Sequence, residues 1–228
     1  MSVHLPRLLQ LASLALPVGA FSYSQGFEWA VESGAVRDEE SARDWIEYVL
    51  TAGIAGWDMP YVASMLHAWH APDLGHIAVL NEAFVASRET RELRSECVQM
   101  GRAMLEALRD WPGVSPDWLR CLDALAARDR LGFATGWTAA AGEGGVPVLD
   151  GTIAYAWSWL ENTVMTAIKA VPLGQRAGQR LLLSLGERLP GLARAAIEMP
   201  VDQCTNFLPG FTLASMHHEN QYTRLFRS

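Results

Sequence analysis

Six histidines, three cysteines and one lysine are the side chains of this sequence best suited to metal binding or nucleophilic chemistry. His67 and His70 are three residues apart on one predicted helix, a spacing that lets two imidazoles face a single ion; the plain alternative is two surface histidines. His217 and His218 are adjacent, with Glu219 beside them. Neighbouring residues diverge on a helix, so this pair would share an ion only across a dimer. Cys204, thirteen residues upstream of His217, would complete a soft, transient site of His217, His218 and Cys204. Lys169 falls in the last turn of a long apolar helix. There it either complements the helix C-terminus or faces a partner. The sequence holds no GxxxxGKS loop, no GxGxxG, no HExxH, no ExxH pair and no GxSxG. No nucleophile and base can be paired, so the chain does not read as an enzyme and no catalytic residue is assigned.

The totals narrow the field further. Half of the 228 residues are hydrophobic, enough for one substantial core. The formal charge is −7, and no Lys/Arg-rich block is present, which argues against nucleic-acid binding. Of the 18 basic residues only Lys169 is a lysine. Cys97, Cys121 and Cys204 are scattered and odd in number, so neither a disulfide framework nor a CxxC zinc site is expected. A reduced, cytoplasmic protein follows.

The elements that must position these groups are helical. The stretch 152–171 is apolar on nearly every face, broken by Glu161, Asn162 and Lys169. Such a helix is buried all round, and its polar residues speak against a membrane span. Asp150 and Thr152 are its predicted caps. Around it, helices are predicted for 4–14, from the Ser22/Gln25 capping box to Glu32, after Asp38, from Asp58 to His70, and from Asp73 to Ser87. Further helices follow at 87–111, 117–130, 132–141 and 174–188, with a short one between Pro190 and Pro200. On 87–111, Leu93, Cys97 or Val98, Met100, Met104 and Leu108 form an apolar stripe. Arg88, Glu89, Arg91, Glu92, Arg94 and Glu96 form a charged face, either solvated or partner-binding. No stretch alternates like a strand. The expectation is an all-α, single-domain bundle of roughly nine or ten helices around the central one. The segment 215–228, polar and aromatic, is expected not to form core by itself.

Four stretches in order resemble one family, the urease accessory protein UreF: LPVGAFSYSQGFEWA at 16–30, ASRETRELRSECVQMGRA at 86–103, AWSWLENTVMTAIKAVPLGQRAGQRLL at 156–182 and SMHHENQYTRLFRS at 215–228. Cys97 stands where the family is usually polar. The resemblance implies an all-helical, dimerising interaction protein that binds UreD (also called UreH) and the GTPase UreG. The assembly delivers nickel to apo-urease, and UreF is likened to a GTPase-activating factor. No stably bound cofactor is implied, only nickel in transit. The resemblance ties the C-terminal end to partner binding, so Glu219, Gln221, Tyr222, Arg224, Leu225, Phe226 and Arg227 are expected to order against a partner, with Lys169 on the GTPase face. The competing expectation is a nickel carrier acting through His217, His218 and Cys204.

Overall fold

The computed structural model describes residues 4–228 and is all-α, with no strand among them. In chain order the helices are α1 (Leu5–Ala12), α2 (Phe27–Glu32), α3 (Glu39–Tyr48), α4 (Met59–His70), α5 (Leu74–Ala86) and α6 (Arg91–Arg109). They continue with α7 (Pro116–Ala126), α8 (Phe133–Glu143), α9 (Val148–Ala170), α10 (Gln175–Gly186), α11 (Leu189–Glu198) and α12 (Pro209–His218).

The central helix is α9. It packs on α1, α2, α3, α4, α10 and α11, and only Asp150 and Lys169 of its residues are exposed. It divides the core in two. Ala154 and Tyr155 belong to a cluster built with α4, α5, α6 and α8, while Ala156, Leu160, Val164 and Ala167 belong to one built with α3, α10 and α11. No described helix is long and apolar enough to cross a membrane. The helix starts four residues earlier than the sequence predicts. Pro147 stands at its N-cap position and Asp150 in its first turn, and the Thr152 hydroxyl donates back to the Val148 carbonyl, so neither residue caps it.

Local signals are met at α3, where the Asp38 carboxylate accepts from the Ser41 amide and Ser41 reciprocates. Two predicted caps are corrected. Ser22 and Gln25 form no capping box: 20–22 is a 3-10 turn, and α2 begins after Gly26 at φ 79°, preceded by Gln25 at φ 54°. Asp58 caps nothing, because α3 runs without a break through a widened π-helical segment, Val49–Asp58, into α4. Gly53 and Gly56 lie inside this continuous helical run. A π segment rotates the residues beyond it relative to a regular helix, and here it delivers Asp58 to the interior, 5% exposed.

Candidate functional site

The chain's last residues pack against the body rather than standing free. Ser215, His218, Phe226 and Ser228 are buried. The segment 215–228, expected not to form core by itself, is anchored against the rest of the chain through these four residues. The physical reason is a socket formed by the turn before α2, by α2 itself and by one face of α6. Gly26 makes the approach of α12 possible: a Cβ there would lie 2.7 Å from the Ser215 amide nitrogen. The Thr90 and Ser215 hydroxyls lie 2.8 Å apart, and the His217 ring stacks on Trp29 at 4.9 Å between centroids.

Three carboxylates organise the socket. Glu28, on α2, accepts from two successive backbone amides, Leu225 at 2.6 Å and Phe226 at 3.0 Å. Glu92, on α6, accepts from Arg224 at 2.7 Å. Between these two acids sits His218, with Nδ1 2.7 Å from Glu92 and Nε2 3.2 Å from Glu28. Both contacts are hydrogen bonds when the ring carries both protons, and the buried charge is then paired on either side. Glu96, one turn beyond Glu92, accepts from the Ser228 hydroxyl at 2.7 Å and from Gln25 at 2.6 Å. The Ser228 carbonyl in turn accepts from the amides of Ser24 and Gln25 and from the Ser24 hydroxyl. Neighbouring amides converging on one oxygen form an anion-binding concavity, and the positive φ of Gln25 and Gly26 accompanies it. The Arg227 amide donates to the Ser22 carbonyl at 2.8 Å.

Behind Gln25 and Glu96 lies a cavity of about 80 Å³. Its apolar side comes from Leu14, Leu16 and Val18 of the segment after α1, and its polar end from Arg88, Asp58 and Tyr155. Arg88 donates to Asp58 at 2.8 Å, and the Tyr155 hydroxyl donates to the other Asp58 oxygen at 3.3 Å. The Arg88 guanidinium also lies 4.1 Å over the Phe84 ring, and its Nε is buried without a partner. Burial opposes the Arg88 charge, but the adjacent Asp58 carboxylate outweighs it and holds the guanidinium protonated more firmly than usual. Burial, reinforced by Asp58, pushes the Tyr155 phenol well above its ordinary range. Burial also raises the Cys97 thiol, which lines the cavity, so it is a poor nucleophile where it stands. At Glu96 burial wins over the donors Ser228 and Gln25 and pushes the carboxyl up to about 7.

Of the partner residues expected from the sequence, the structure sorts inward from outward. Phe226 is buried, while Tyr222 and Leu225 are 103% and 72% exposed. Arg224 ties Glu92 and the Glu219 carbonyl, and the Glu219 carboxylate accepts from the Glu92 amide. The Gln221 amide nitrogen donates to the Thr223 carbonyl. Lys169 is brought to the same place, its ammonium 5.9 Å from the Phe226 ring centroid. The metal candidates are not brought together. His217 is stacked on Trp29, His218 is held between two acids, and the Cys204 thiol points to the Pro200 carbonyl. Among the described residues no three His, Cys, Asp or Glu side chains form a set suited to an ion, and this includes His67 and His70.

Sequence reasoning missed Glu28, Asp58 and Gln25, and left Glu96 and Arg88 on a charged outer face. The signal available for Glu28 was an acid set between Phe27 and Trp29, and for Asp58 an acid inside the apolar run IAGWDMPY.

Comparison with known proteins establishes the family. A family model described as UreF matches residues 36–186. The chain is 53% identical to the urease accessory protein UreF of Azoarcus sp. (strain BH72) over 224 residues, covering 97% of this chain and 94% of that protein. It is 48% identical to the protein of the same name from Dechloromonas aromatica (strain RCB), covering 99% and 98%. It is 43% identical to that from Methylobacillus flagellatus, covering 100% and 99%. The chain belongs to the UreF family.

Proposed function

We propose that this member of the UreF family serves urease maturation in the cytoplasm as a dimeric accessory scaffold. In this reading it bridges UreD/UreH and the GTPase UreG, and nickel passes to apo-urease through the assembly without being kept as a resident cofactor. The observation that carries the reading is a convergence. Stretches 16–30, 86–103, 156–182 and 215–228, which carry the family resemblance, meet in one network: Gln25 bonds Trp159 and Glu96, Glu96 bonds Ser228, and Lys169 approaches Phe226. The network leaves Tyr222 and Leu225 exposed to solvent, and Lys169, also exposed, lies near the Phe226 ring. Tyrosine, here the exposed Tyr222, is among the residue types that carry interface energy. The GTPase face is assigned to Lys169 and its polar neighbours on α9, with UreD/UreH on the outward side chains of the tail. The reading needs no catalytic residue in this chain.

The test is co-purification of the full chain with UreD/UreH and UreG, with masses from light scattering. A stoichiometric complex is expected. Replacing both outward side chains (Tyr222→Ala with Leu225→Ala) is expected to leave the melting temperature unchanged, because neither is buried, and to abolish the complex. A complex retained by that variant refutes the assignment of the tail.

A further inference from the structure

The cavity behind Gln25 and Glu96 is open to solvent on one side, and among the described residues none of the C-terminal segment lines it. Its walls are apolar at Leu11, Leu16, Val18, Met100 and Phe133. The partly exposed Ser13, Leu14, Ser158 and Asn162 mark its mouth. A concave apolar space with a few convergent polar groups is the usual form of a small-molecule site. The polar groups decide what it takes. Each carboxyl oxygen of Asp58 already accepts a donor, from Arg88 and from Tyr155. Each carboxyl oxygen of Glu96 does too, from Gln25 and from Ser228. The Arg88 guanidinium carries five N–H groups, and its hydrogen bond among the described residues goes to Asp58 through Nη2. Its Nε is buried with no partner. The polar end is therefore short of acceptors, and an unmet buried donor costs free energy.

We propose that this cavity is a binding site for a small uncharged molecule with an apolar body and a carbonyl oxygen, the body lying along Leu16, Val18, Met100 and Phe133 and the oxygen accepting from the Arg88 guanidinium. Charge sets the class. A cation meets Arg88 at the polar end and finds every carboxyl oxygen there already engaged by a donor. An anion finds the Arg88 charge already matched by Asp58, and a buried charge without its own partner is costly. An uncharged acceptor satisfies the guanidinium without either cost, and its apolar body displaces water from the walls. Size narrows the choice. The cavity of about 80 Å³ admits roughly six or seven non-hydrogen atoms at about 10–15 Å³ apiece. A short aliphatic amide such as pentanamide meets both conditions. The inference is independent of the scaffold reading, since it needs no partner protein.

The test titrates the full chain, carrying carbon-13 in its methionine methyl groups, with three probes of one length: pentanamide, pentanoate and pentylammonium. The Met100 methyl signal, identified by its loss in Met100→Leu, reports from the cavity wall. Pentanamide is expected to shift it saturably, with a Kd of about 1 mM or below, a range suited to so few atoms. Pentanoate and pentylammonium are expected to bind at least about tenfold more weakly. Leu14→Trp, a change at a partly exposed position of the mouth, is expected to abolish the shift. Asp58→Leu with Arg88→Met removes the donor together with its counter-ion and is expected to weaken pentanamide by about tenfold. Should that double variant fail to fold, the comparison of the three probes on the parent protein decides by itself. No saturable Met100 shift with pentanamide overturns the proposal. Equal binding of all three probes does so too, since it marks a void that selects nothing, and so does tighter binding of either charged probe. A folded double variant that binds pentanamide as the parent does overturns the role given to Arg88.

Discussion

Glu96 carries a measurable stability cost at neutral pH, and Glu96→Gln should relieve it. The carboxyl is 6% exposed and is raised from 4.5 to about 7, chiefly by burial. In the folded chain it therefore holds its proton more tightly than in the unfolded chain. The stability tied to that proton is fully present below about pH 4.5 and is lost as pH rises through about 7. At 1.36 kcal/mol per pH unit, the loss is roughly 3 kcal/mol by pH 8 and under about 1 kcal/mol at pH 5. Glutamine mimics the protonated acid. Its oxygen accepts from Gln25 and its amide can donate to the Ser228 hydroxyl, which also accepts. Allowing about 1 kcal/mol for less favourable geometry, the variant should exceed the parent by roughly 2 kcal/mol at pH 8 and match or trail it slightly at pH 5. Urea unfolding of both proteins across this range gives the difference directly, with other titrating groups cancelling. A difference that does not change with pH refutes the reasoning.

Two more expectations follow from close contacts elsewhere. Asp58→Asn leaves the Arg88 guanidinium buried without its counter-ion, at a cost of about 3–5 kcal/mol; replacing the pair together by Leu and Met should recover most of it, and recovery of nothing in urea titrations would show that the ion pair is not the cause. Gly101→Ala places a Cβ 2.2 Å from the Leu131 carbonyl oxygen and 2.9 Å from the Gly132 carbonyl carbon. The α6–α8 contact must then open, so unfolding should be easier by about 3 kcal/mol, and a thermal scan showing no change would contradict the close approach.

The elements that the sequence predicts well are those decided within a few residues. The Asp38 cap and the apolar stripe of α6 each depend on neighbours one or two turns away. The carboxylates of the site are decided by partners far along the chain: Asp58 meets Arg88 thirty residues on, Glu96 meets Ser228 across 132, and Glu28 meets Leu225 across 197. Helical periodicity places Glu92 and Glu96 beside the apolar stripe, on a face that α6 by itself would leave to water. It becomes interior only when 215–228 lies over it. The same dependence runs the other way, because the tail is too polar to bury itself and does so only where acids wait for its amides, His218 and Arg224. Neither half is interpretable alone. That is why the four family-like stretches, unremarkable one by one, point to the site only as a set, and why Glu92 and Glu96, part of a charged face in the sequence, are covered by the chain's own segment 215–228.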